Sequence, residues 1–176
     1  VIISAFSILI VGGVVGFLMV LRPSASGSPS SAGPAAIVSK SDVVPSLEKA
    51  DPDKTMAGIL EAVRKNWNPK ALIGGVYIDR LKADGTVDLT KGGGMISMDF
   101  FVPEMAAGLL PGETEIKGAK CSVYVGGDSV NPSVGDASLH DIKNGRFASV
   151  LPACTIASLL QAAHKEGYPA AGFSTV

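Results

Sequence analysis

Histidine, cysteine and tryptophan are scarce in this chain of 176 residues, which holds two His, two Cys and one Trp. That scarcity alone removes most metal and nucleophile chemistry. No CxxC, CxxCH, HxxxH or HExxH occurs, so structural zinc, covalent haem and zincin chemistry all lack their ligands. Runs of one charge sign are missing as well. Fifteen basic and sixteen acidic residues are spread evenly, for a net charge of −1, and no basic run exists to neutralise nucleic-acid phosphates. There is no basic amphipathic stretch for a membrane surface and no apparent internal repeat. The glycine clusters Gly74-Gly75, Gly92-Gly93-Gly94 and Gly126-Gly127 are not followed by GK[ST] and do not fit GxGxxG before a helix. They read as turns and strand bends.

The most informative absence is of charge at the N-terminus. The first 21 residues, VIISAFSILIVGGVVGFLMVL, have no charge, no Pro and nothing more polar than Ser4 and Ser7, and Arg22 ends them. As a helix this run is ~31 Å long, about the thickness of a bilayer's hydrocarbon core. Residues 1–22 are therefore read as a transmembrane helix, the form that satisfies every backbone group in lipid. The competing reading is a cleaved signal peptide, whose apolar core is only ~7–15 residues, with a cleavage site drawn through Pro23-Ser24-Ala25-Ser26. Gly12 and Gly16 form a GxxxG, with Ala5 two turns earlier near the same face, and small residues of this kind let a second helix approach closely. The segment contains no His, Asp, Glu, Lys or Arg, so it anchors and packs rather than relaying protons or ligating a cofactor. The sequence starts at Val1 rather than Met, and residues ahead of it would carry the charges that set orientation.

Residues 23–50 read as a linker. Pro23 to Ala36 is a Ser/Gly/Pro/Ala tract with no apolar area to bury, and the weakly patterned stretch to Ala50 includes Val43-Val44 and Leu47 as possible docking points. Its root-mean-square reach is ~30 Å. Residues 51–176 then form a globular domain large enough for its own core.

Within that domain, Asp51 and Asp53 precede a helix with Met56, Leu60, Val63 and Trp67 on one stripe, stopped by Asn68-Pro69. ALIGGVYIDRLKADGTVDL reads as a hairpin around Asp84-Gly85, and Met95 to Pro103 as a strong strand. TEIKGAKCSVYVGGD gives a strand pair or one long bent strand, and Ser129 to Leu151 reads as loop. Thr155 caps a last helix that Gly167 stops, and AAGFSTV suits an edge strand. The fold class expected is α+β, a small antiparallel sheet packed with two helices.

Cys121 and Cys154 admit two readings: a disulfide that stabilises by ~3–4 kcal/mol, or two reduced thiols. The linker composition and the lack of basic residues between Arg22 and Lys40 favour an extracytoplasmic, periplasmic domain on a single-pass inner-membrane anchor. Ser138, His140 and Asp141 lie within four residues, but triads assemble from distant positions, so a polar loop or short helical turn is expected. A Cys–His nucleophile pair is weaker still, and His164 suits the last turn of a helix. Asp79, Asp84 and Asp88 lack the alternation of a calcium loop. The remaining candidates are apolar: Trp67, Phe100, Phe101, Leu109 and Leu110 form a possible partner surface, unless a helix covers the second face of the Phe100–Phe101 strand.

These readings imply no cofactor, no metal and no catalytic residue. The expected function is that of a non-catalytic accessory subunit packing into a larger membrane complex, respiratory, photosynthetic or of the envelope. Its partners would be other membrane subunits and the bilayer. The alternative is a tethered domain that binds a ligand or peptide.

Overall fold

The structure, a computed structural model, describes residues 37–43 and 46–168. The transmembrane reading of residues 1–22, with Ala5, Gly12 and Gly16, lies outside the described residues, as does the C-terminal strand expected in AAGFSTV. Among the described residues no helix is long and apolar enough to cross a membrane.

A one-turn helix α1 (Lys40–Val43) leads to α2 (Pro52–Asn66). The start of α2 is written in its sequence. The Asp51 carboxylate accepts the N–H groups of Asp53 at 3.0 Å and Lys54 at 3.2 Å, and Pro52 sits at the first position, where no N–H is needed. Met56, Ile59, Ala62 and Val63 are buried along one face, with Leu60 and Trp67 half-buried at its margin.

Four antiparallel strands follow, β1 (Leu72–Asp79), β2 (Met95–Phe101), β3 (Glu115–Gly126) and β4 (Ser129–Ser138), each beside the next. The domain is thus α+β, a four-stranded antiparallel sheet with helices. Two details differ from expectation. Asp84-Gly85 does not join two strands, because β1 pairs with β2 and residues 80–94 form a long loop. Val87 and Leu89 in that loop are fully buried, and reciprocal bonds of 2.9 Å between Val87 and Ala50 tie it down, so burial overrides the hairpin signal. The stretch from Ser129, expected as loop, holds β4 and a short helix α3 (Leu139–Asn144). Gly127 and Asp128 both adopt positive φ (59° and 65°), which makes a two-residue hairpin turn into β4. Pro132 is tolerated because β4 lies at the sheet edge. The last helix, α4 (Ile156–Lys165), begins as expected, with the Thr155 hydroxyl accepting the Ser158 N–H at 3.1 Å.

The inner sheet face is apolar. Ile73 and Ile78, then Ile96, Met98 and Phe100, then Cys121, Val123 and Val125 form a continuous buried layer with the buried face of α2. Ile37, Val38, Val43 and Ala50, from the stretch read as linker, are buried in the same core, so the packed chain includes residues from Ile37 onward.

Candidate functional site

Strand alternation puts every second residue on the outer sheet face, and pairing fixes which stand side by side. One cross-strand row there is Tyr77, Ser97, Tyr124, Asn131, and the next is Gly75, Asp99, Ser122, Ser133. Beyond the second row lie Phe101 and Lys120. The two tyrosines are thus separated by Ser97 across two strand spacings, ~10 Å. A Cβ built on Gly126 would lie 3.0 Å from the Tyr124 hydroxyl, so the Tyr124 side chain runs along β3 over a glycine that leaves room for it. A Cβ on Gly75 would meet nothing within 4 Å, and the floor is open there.

Asp99 occupies the centre. Its carboxylate accepts the Ser122 hydroxyl at 2.5 Å and lies 3.2 Å from Lys120 Nζ, which also sits 5.4 Å from the centroid of the Phe101 ring. The pair is half exposed, so its electrostatic contribution is small, and its main effect is to fix both side chains. At the far end this face is closed. Phe101 joins Ile116, Ala119 and Ala137 in a second small cluster, covered by the 3-10 helix Pro103–Gly108 and by α3.

Of the residues read as a possible partner surface, Trp67, Phe100, Phe101, Leu109 and Leu110, the fold covers most. Phe100 is fully buried on the inner face and Phe101 is 8% exposed on the outer one, since opposite faces of β2 are each covered. Trp67 and Leu109 are half-buried, packed against the larger and the smaller cluster respectively. Leu110 alone is open, at 67% exposure. Of the two readings of the cysteines, the structure has the two free thiols and no disulfide. Cys121 is buried between β2 and β4, while Cys154 is exposed in the loop before α4, and both are free thiols. Burial, helped by the nearby Asp99 carboxylate, pushes the Cys121 thiol up to about 12, so it stays protonated and inert.

The polar motifs have structural roles. Ser138 caps α3 by accepting the Asp141 N–H at 2.9 Å, which makes the Ser-His-Asp cluster a helix start. His140 is exposed, and His164 is exposed in the last turn of α4. Asp84 and Asp88 each accept a hydroxyl and an amide, from Thr86 and Thr90 respectively, and these bonds hold both carboxyls below their ordinary range. Among the described residues no group of three His, Cys, Asp or Glu side chains is arranged to hold a metal.

A feature that the sequence reading passed over is the state of α4. It has no buried residue, Leu159 is 50% exposed, and Tyr168 just beyond it is exposed. Its start is held by the Asp53 carboxylate, which accepts the Ile156 N–H at 3.1 Å from the first turn of α2. A groove lined by Leu160, Gln161, His164 and Tyr168 on one side and Ala83 to Gly85 on the other runs beneath it. The apolar periodicity of IASLLQAA was visible, but its exposure depends on the long-range placement of the helix. No protein family, curated protein or solved structure matches this chain.

Proposed function

We propose that this protein is a non-catalytic, single-pass membrane accessory subunit, in which the N-terminal helix anchors the chain and the domain docks on neighbouring subunits. The observation that carries this reading is the uncharged 21-residue N-terminal run, whose length matches a bilayer core. The state of α4 supports it: an amphipathic helix with Leu159 and Tyr168 exposed presents apolar area of the kind that partners cover. Membrane partners would pack on Gly12 and Gly16, and the domain would stand on the periplasmic side of a bacterial inner membrane. A tethered ligand-binding domain is the second reading, favoured by the open outer face of the sheet around Asp99. Alkaline carbonate extraction of native membranes tests the anchor. The full chain is expected to stay in the pellet, and a chain lacking residues 1–22 to be released. Release of both would overturn the reading.

A further inference from the structure

We propose that the groove beneath α4 is a docking site for the chain's own residues 169–176, with Phe173 as the side chain that fills it. The close of α4 aims the chain there. Gly167 adopts a φ of 85°, its N–H donates to the His164 carbonyl at 3.0 Å, and the Tyr168 N–H donates to the Ala163 carbonyl at 3.1 Å. This pair of bonds is the reversal that closes a helix at a glycine, and it folds the next residue back against the last turn. Tyr168 accordingly lines the groove with Leu160 and His164 instead of prolonging the helix. Pro169, which has no N–H to give, comes next in the sequence, at the mouth of the groove.

The dimensions agree. From Tyr168 to Ala157 the groove follows α4 for ~16 Å at ~1.5 Å per residue. An extended chain covers the five residues from Tyr168 to Phe173 in ~17 Å. Phe173 therefore reaches the far part of the groove, where the walls are small and apolar. A Cβ built on Gly85 there would lie 3.7 Å from Ala157 and 3.9 Å from a Leu160 methyl. The cavity holds about 430 Å³, room for an aromatic ring and the backbone beside it. Residues 169–176 carry no charge, and Phe173 is their one aromatic and largest apolar side chain. The Gln161 amide and His164 imidazole on the groove wall can bond the main chain of an extended segment. Attached at the mouth, the segment is present at an effective concentration on the order of millimolar, so a modest affinity suffices against untethered competitors. Leu159 points to the other side of α4, at ~100° of turn per residue, and is left for a partner.

This inference does not rest on the subunit reading and stands or falls separately from it. Dilute full chain in detergent micelles is oxidised with glutathione disulfide, in a Cys154→Ser background where the only native thiol is the buried Cys121. Positions 157 and 159 are both exposed, so a cysteine at either opens no core, and circular dichroism establishes that each variant is folded. Ala157→Cys with Phe173→Cys should close an intrachain disulfide about tenfold faster than Leu159→Cys with Phe173→Cys. Independently, Phe173→Ala should speed amide exchange in residues 157–164 about tenfold and leave residues 55–66 unchanged. Equal closure rates at the two positions, or α4 exchange that ignores Phe173→Ala, overturns the proposal. So does a disulfide from position 157 that forms only between two chains, which would assign the groove to a second copy. None of these results bears on whether carbonate releases the chain.

Discussion

Phe100 and Phe101 are adjacent and chemically identical, yet the fold uses them in different places. Phe100 fills the main core with no exposure, and Phe101 holds the smaller cluster with Phe147, whose ring centroid is 5.2 Å away. Truncating Phe100 to Ala should cost ~3–5 kcal/mol in chemical denaturation, while Phe101→Ala falls at the low end of that range because its cluster is shallow. That the two rings point apart was legible from strand alternation. What covers the second ring was not, because α3 and Phe147 reach it from far along the chain and the 3-10 helix directly after β2 has to fold back over it. The cysteines give a second test at this scale. A thiol reagent should modify Cys154 alone in the native protein and Cys121 only after unfolding. Two fast-reacting thiols in the folded protein would contradict this burial. Asp84 and Asp88 add a pH dependence whose sign follows from their lowered pKa values. Lowered values mean that the unfolded chain binds protons first, so their contribution is present above the ordinary carboxylate range and lost as pH falls through the folded values. Asp84→Asn with Asp88→Asn should flatten the fall of Tm below about pH 4. An unchanged acid limb would show that the Thr86 and Thr90 bonds do not persist in solution.

Among the elements, α2 and α4 were readable because caps and helical period agree, and β2 because MISMDFF alternates. β4 was not. SVNPSVGDAS offers few apolar residues and carries Pro132 and Gly135, which read as breakers, and only an edge position makes them acceptable. The turn at Asp84-Gly85 misled for the opposite reason: its local chemistry is right for a hairpin, but Val87 and Leu89 are drawn into the core instead. The difference between α2 and α4 should appear in amide exchange. Residues 156–165 should exchange far faster than residues 55–66, because α4 has no fully buried residue and meets the core only through the half-buried Ile156, while α2 buries one whole face. Asp53→Ala removes the carboxylate that caps the Ile156 N–H and should cost α4 about 1 kcal/mol of local stability, with α2 still capped by Asp51. Equal protection in the two helices would contradict a loosely held α4.

At the scale of the molecule, composition separated an apolar N-terminal run, a Ser/Gly/Pro tract and a domain, and the α+β class of that domain follows from its pattern of elements. The domain's start was harder to see. Ile37, Val38 and Val43 sit in a weakly patterned stretch, and only long-range contacts, such as the Asn66 amide donating to the Ile37 carbonyl at 2.9 Å, draw that stretch into the core. Nothing in the candidate site was legible as chemistry, because its residues are common types spread over four strands and are united only by register. The central claim is that the chain works as part of a larger membrane assembly. Mild-detergent solubilisation of native membranes, followed by native sizing and mass spectrometry of what co-migrates, tests it most directly. The account predicts stoichiometric co-migration with a large complex, weakened by Gly12→Leu with Gly16→Leu. Migration as a lone monomer or a self-dimer would contradict it.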